Sequence, residues 1–243
     1  MVEVESLFKG HSLQVKDSEP QPHESGLTPP WVFGVLVVLT VCLLVYFKTH
    51  GLTVSNVLAS TFNHRTMDRT LRENNLNHMS VLAPISIMWG AVVALIACYL
   101  ADGVEPRFLP DMSSWQFMVI YLALTLSLTA VYHFRNTLFR LIGYTFDEGD
   151  AAISYITSSY FFVLLETTFA VPLVMVLYYG KSLGLVPLIA VAILFVIMFA
   201  LRFLRGIKLF LTQSKSAYLH LFYYLCIVEF VPIMVLLKVI NIL

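Results

Sequence analysis

Long apolar stretches alternate with short polar ones along most of the chain, and only the first 29 residues break that rhythm. Six stretches are long enough to cross about 30 Å of hydrocarbon as helices rising about 1.5 Å per residue. They predict spans at Pro30–Phe47, Met79–Leu100, Trp115–Phe134, Ile153–Tyr179, Leu183–Leu201 and Ala217–Leu237. The expected fold class is therefore all-α, a polytopic bundle of six transmembrane helices forming one domain over residues 30–243.

The first 29 residues contain Glu3, Glu5, Asp17, Glu19 and Glu24 and the stretch EPQPHESGLTPP. A segment with so little to bury is expected to be a disordered polar tail. A cleaved signal peptide needs a basic start and a small-residue site soon after its apolar core, so the first span is expected to stay in place.

Composition agrees with the pattern. Hydrophobic residues make up 58% of the chain and charged residues 12%, and mean hydropathy is +0.81, far from soluble averages. With 15 basic and 15 acidic residues the formal charge is zero, so no nucleic-acid partner is expected. Cys42, Cys98 and Cys226 all fall inside apolar runs, as packing residues do, and form neither a disulfide framework nor a metal motif.

Orientation follows from Lys and Arg, which accumulate in cytoplasmic connections. The connection after the first span holds Lys48, Arg65, Arg69 and Arg72; that after the third, Arg135 and Arg140; that after the fifth, Arg202, Arg205, Lys208 and Lys215. The opposite side holds Lys9, Lys16, Arg107, Lys181 and Lys238. This two-to-one bias places both termini away from the cytoplasm. Trp31, Trp115, Tyr178 and Tyr179 fall near the expected boundaries, where interfacial aromatics sit.

In the connection from about 48 to 78, Arg65, Arg69 and Arg72 stand at i, i+4 and i+7, one face of a helix, while Leu58 with Phe62 and Met67 with Leu71 supply a broken apolar face. An interfacial or docking helix would use them so. The plainer and preferred account is a basic rim of topology determinants touching phospholipid headgroups. The remaining alternative is a specific anionic ligand.

Two carboxylates, Glu166 and Glu229, stand near the middle of the fourth and sixth spans. An acidic side chain costs about 2.5 to 3.5 kcal/mol at the centre of a spanning helix on insertion scales, so such groups usually face a bundle interior or watery cavity. Each precedes a proline, Pro172 or Pro232, that removes a backbone bond and leaves a carbonyl for a water, ion or side chain. The words around them, SYFFVLLE with FAVPLVMVL and FYYLCIVE with FVPIMVLL, are faintly alike, although chance similarity is common among apolar spans. A proton or cation site fits these residues, and so does a protonated glutamic acid bonded to a neighbouring helix. In the third span Tyr121, Thr125 and Thr129, continuing to Tyr132 and His133, form a stripe of polar groups. It is placed either to donate to these carboxylates or, more commonly, to bond backbone carbonyls in ordinary packing.

His64, His78, His133 and His220 are expected near the cytoplasmic boundary. No two stand at i, i+3 or i+4, and CxxCH and HExxH are absent, so His78, His133 and His220 are weak metal candidates and no cofactor is expected. The chain also lacks GxxxxGK[ST], GxGxxG and GxSxG, which leaves nucleotide-driven transport and hydrolase chemistry without support.

The C-terminal stretch LHLFYYLCIVEFVPIMVLLKVI, with its aromatic run, Cys226, Glu229 and Pro232, together with the basic connection before it and the six-span layout, resembles an uncharacterised family of small inner-membrane proteins of Bacteroidota, the domain of unknown function numbered 4271. The resemblance covers most of the chain after the acidic tail. It implies the inner membrane of a Gram-negative cell and no particular activity. The expected role is a non-enzymatic subunit or accessory factor of an envelope assembly, with membrane lipids and other membrane-protein subunits as partners. The alternatives are a small proton- or cation-coupled carrier using Glu166 and Glu229, and a protein that handles an anionic or polyprenyl-phosphate lipid with its basic rim.

Overall fold

A computed structural model describes residues 30–62, 66, 79–104, 114–145, 149–180 and 183–213. The described elements are all helical: α1 (Pro30–Thr49), α2 (Val54–Phe62), α3 (Met79–Val104), α4 (Ser114–Thr145), α5 (Gly149–Tyr179) and α6 (Val186–Gln213). Five of them, all but α2, are long and apolar enough to cross a membrane. The sixth expected span, 217–237, lies outside the described residues, as do the tail 1–29, Glu229, Arg65, Arg69, Arg72, His64, His78 and His220.

α5 is the hub of the bundle. It packs against α1, α2, α3, α4 and α6, and α3 also packs against α4. From Ser158 to Thr167 every residue of α5 is buried, as expected for a helix that is apolar nearly all round. α1, α4 and α6 instead keep exposed apolar faces, among them Val38, Leu44, Leu126 and Val196. Lipid tails are as apolar as leucine, so burying such faces gains little in a bilayer, and close packing with polar bonds between helices carries the association.

Two such contacts fix the pairing of α3. At Gly90 an added Cβ would lie 2.6 Å from Thr129 Oγ1 and 3.2 Å from the Thr125 carbonyl oxygen, so only a residue without Cβ lets α3 lie this close to α4. Nearer its C-terminus α3 accepts a hydrogen bond at the Leu95 carbonyl from Tyr178 Oη of α5, 2.8 Å away. Tyr178 was expected at the membrane boundary with its ring in the interface, but it is buried and turned inward by this bond.

The turn after α1 shows how local chemistry seats α2. Gly51 adopts φ +57°, Leu52 N–H donates to the Phe47 carbonyl at 2.9 Å and Gly51 N–H to the Lys48 carbonyl at 3.4 Å. These are the paired bonds of a left-handed helix stop, closed by buried Leu52. Thr53 then caps α2, its Oγ1 accepting from Asn56 N–H at 3.3 Å. α2 docks on α5 with Val57, Ser60 and Thr61 buried and Leu58 42% exposed, while Arg65, Arg69 and Arg72, on which the expected loop helix was built, lie outside the described residues.

Hydropathy misplaced two helix ends. α4 continues past Phe134 to Thr145 and α6 past Leu201 to Gln213. Arg135, Arg140, Arg202, Arg205 and Lys208, expected in loops, are therefore helical. An apolar window marks where lipid contact stops, whereas the helix continues wherever its residues still pack, as Asn136, Phe139 and Gly143 do on α4.

Candidate buried polar site

The polar residues of the described chain gather toward one end of the bundle. At this end α4 and α6 finish, α3 and α5 begin, and α2 lies against α5. Asn136 Nδ2 of α4 donates to Tyr160 Oη of α5 at 3.3 Å, and Arg135 Nη2 donates to Asn136 Oδ1 at 3.4 Å. The Arg135 guanidinium also lies 4.9 Å from the centre of the Tyr132 ring. Tyr132 stands between Trp89 of α3, at 5.6 Å between ring centres, and Tyr160, at 5.5 Å in an edge-on arrangement. One aromatic and polar layer thus joins three helices. Edge-on ring pairs and a cation over a ring each contribute about 0.5 to 1.5 kcal/mol in such surroundings.

Glu166 of α5 is 6% exposed and stands beside this layer. The positive charges of Arg202 and Arg135 both act on it, Arg202 the more strongly. Trp89 offers its indole N–H to the same carboxyl group. The pair stops short of a strict hydrogen bond, for Nε1 of Trp89 has no partner that meets both distance and angle. Burial is the largest effect on this carboxyl group, and the guanidinium charge offsets only part of its cost. Arg205, one turn beyond Arg202 on α6, donates from Nη1 to the Ser60 carbonyl of α2 at 3.1 Å.

A cavity of about 340 Å³ opens at Glu166. Trp89 and Phe162 wall it on the α3 and α5 sides, and α6 contributes Phe195, Val196, Met198, Phe199 and Arg202. Among the described residues its lining is apolar apart from the carboxyl group, the guanidinium and the indole N–H, the pattern of a site that takes a largely apolar occupant and fixes it by a few polar groups. Among the described residues, Tyr132 Oη and the hydroxyls of Ser158 and Ser159 are buried with no hydrogen bond that meets both distance and angle.

The other expected site residues fall as follows. Thr125 Oγ1 donates to the Tyr121 carbonyl at 2.9 Å and Thr129 Oγ1 to the Thr125 carbonyl at 2.8 Å. These two hydroxyls thus bond their own helix, and Tyr121 packs on Trp31 with ring centres 5.4 Å apart. His133 lies 2.9 Å from Ser86 Oγ through Nε2, a bond that ties α4 to α3. Among the described residues no three His, Cys, Asp or Glu side chains converge as metal ligands would. Arg140 is half-buried and acts on Tyr160, while Lys208 is exposed.

Sequence reasoning missed Trp89, Asn136 and Tyr160. The signal for Asn136 was present, because the stripe of Tyr121, Thr125 and Tyr132 continues at four residues' spacing to Asn136.

Helices of this length and apolarity around a buried polar cluster are those of a multi-pass helical membrane protein. The chain matches the domain of unknown function DUF4271 over residues 32–240 and belongs to that family. No curated protein and no solved structure matches it.

Proposed function

We propose that this chain is a non-enzymatic subunit or accessory factor of an envelope assembly in the inner membrane of a Bacteroidota cell. In this reading a sixth span follows α6, both termini are periplasmic and the basic end of the bundle is cytoplasmic. The observation that carries it is the far end of α4. At 32 residues the helix is about 48 Å long, some 18 Å more than the hydrocarbon core. Trp115, near its start, is 67% exposed, as an interfacial aromatic is, which assigns the excess length to the C-terminal end. Leu141 and Tyr144 stand there on one side of the helix, 62% and 68% exposed, in line with Phe134 at the boundary. Apolar side chains in a row beyond the lipid mark a protein contact. Arg140 and exposed Lys208 at the same end favour a partner segment that is amphipathic with an acidic rim.

Affinity purification from native membranes in mild detergent tests the reading with Leu141→Glu and Tyr144→Glu. Both positions are exposed, so abundance should match wild type. A stoichiometric membrane partner should be retained by wild type and lost from both variants. Wild type that purifies alone, or a partner that both variants retain, removes the reading.

The Glu166 cavity favours a second reading, a proton- or cation-coupled carrier. It requires transport that disappears in Glu166→Gln at normal abundance and stability.

A further inference from the structure

We propose that His133 divides its two ring nitrogens between two tasks: Nε2 carries the hydrogen that binds α4 to Ser86 of α3, and Nδ1 keeps the lone pair and takes up a proton without loosening the helix pair. This goes beyond both the docking role of α4 and transport through Glu166, for it rests on neither.

Three observations meet here. Gly90 lets α3 lie against Thr129 of α4, and Ser86 and His133 stand four residues further along the two antiparallel helices, so the same seam brings the imidazole onto Ser86. Ser86 Oγ then has two close polar neighbours, the Ala83 carbonyl oxygen at 2.7 Å and His133 Nε2 at 2.9 Å. A hydroxyl has one hydrogen and a carbonyl oxygen only accepts. Two oxygens this close repel unless a hydrogen lies between them, so the hydrogen of Ser86 goes to Ala83. Only a lone pair of Ser86 remains for His133, and Nε2 must be the donor. Finally, Ser86 is 0% exposed, a setting in which turning the hydroxyl toward Nε2 would leave its bond to Ala83 unmade at a cost.

A neutral imidazole donates from one nitrogen and accepts at the other, so the lone pair of His133 lies on Nδ1. Proton uptake adds a hydrogen there and leaves Nε2–H where it was. The contact with Ser86 is therefore the same in both charge states. The described ionisable groups of the adjoining polar layer are Tyr132 and Arg135 on α4, Tyr160 and Glu166 on α5, and Arg202 on α6, whereas α3 has none from Ala83 to Leu95. Tyr132, its ring centre 6.2 Å from that of His133, links the imidazole to this layer, for the charges of Arg135 and Arg202 both act on Tyr132.

Nitrogen NMR of the full chain, isotope-labelled at histidine and held in lipid nanodiscs, tests the division of tasks, with His133→Gln used to identify the His133 signals. At alkaline pH Nε2 should carry a hydrogen and Nδ1 should not, and on acidification Nδ1 should gain one while Nε2 keeps its own. Ser86→Ala should lower the detergent unfolding temperature by the same amount at either end of that titration. His133→Gln, which sets an amide N–H near the place of Nε2, should stay closer to wild type than His133→Ala. A lone pair on Nε2 at alkaline pH overturns the proposal, as does an imidazole that stays neutral throughout. So does a loss in Ser86→Ala confined to one end of the titration, which would make the contact a pH switch, or a Gln variant no more stable than the Ala variant.

Discussion

Glu166 is the residue whose reading changes most between sequence and structure. In the sequence it is a lone acid in an apolar run, and protonated packing group and proton or cation site stand as equals. The structure places it at a cavity with Trp89 and Arg202, and the charge of Arg135 also acts on it. Glu166→Gln keeps shape and hydrogen bonding and removes whatever charge these guanidinium groups act on, so its stability reads whether that charge supports the fold. Where a carboxylate and a guanidinium support each other in a bundle, losing one alone costs more than replacing both by apolar groups. Glu166→Gln is expected to lower the unfolding temperature in detergent, and Glu166→Leu with Arg202→Met to lower it less. A Glu166→Gln protein as stable as wild type would show that the charge is dispensable to the fold. Arg202 was legible as a basic residue but not as the partner of Glu166, because it follows directly on an apolar run and reads as the start of a loop. Only the continuation of α6 to Gln213 fixes it on a helix that faces α5.

At the level of elements, the apolar runs made the spanning helices of the described chain legible, since length and composition suffice to select them. Their partners were not, because lipid-facing and buried faces are equally apolar and leave little periodicity to read. α3 and α4 show what decides instead. Their approach depends on Gly90, where a methyl group would meet Thr129 Oγ1 and the Thr125 carbonyl. Gly90→Ala should destabilise by about 1 to 3 kcal/mol through overpacking. Adding Thr129→Ala removes the nearer clash and should restore part of the loss while leaving the contact with the Thr125 carbonyl. The coupling is measurable as a double-mutant cycle in detergent unfolding, and strict additivity of the two changes would contradict the close approach. The sequence reading set the loop helix on the arginines that follow α2, and the dock of α2 on α5, held by the Arg205 bond to Ser60, joins residues far apart in the chain and leaves no local mark.

At the scale of the whole molecule, the described basic residues that hydropathy assigned to one side do share one end of the bundle. Arg135 and Arg202 converge on Glu166 and Arg205 reaches α2 from the same helix. Single-cysteine labelling in right-side-out vesicles and intact cells is expected to find a cysteine beside Lys208 protected from impermeant reagent and one beside Asp111 accessible. Labelling in the reverse sense would turn the basic end outward and remove the docking role proposed for the end of α4.

The central place of α5 also bears on how the protein is made. α1 to α4 leave the ribosome before the helix on which α1, α2, α3 and α4 all pack has been synthesised. For that interval α3 and α4 have each other across Gly90 and Thr129, and the polar layer lacks Tyr160 and Glu166. Assembly of the described bundle is therefore a waiting problem, in which the early helices gain their common neighbour only once α5 is in place.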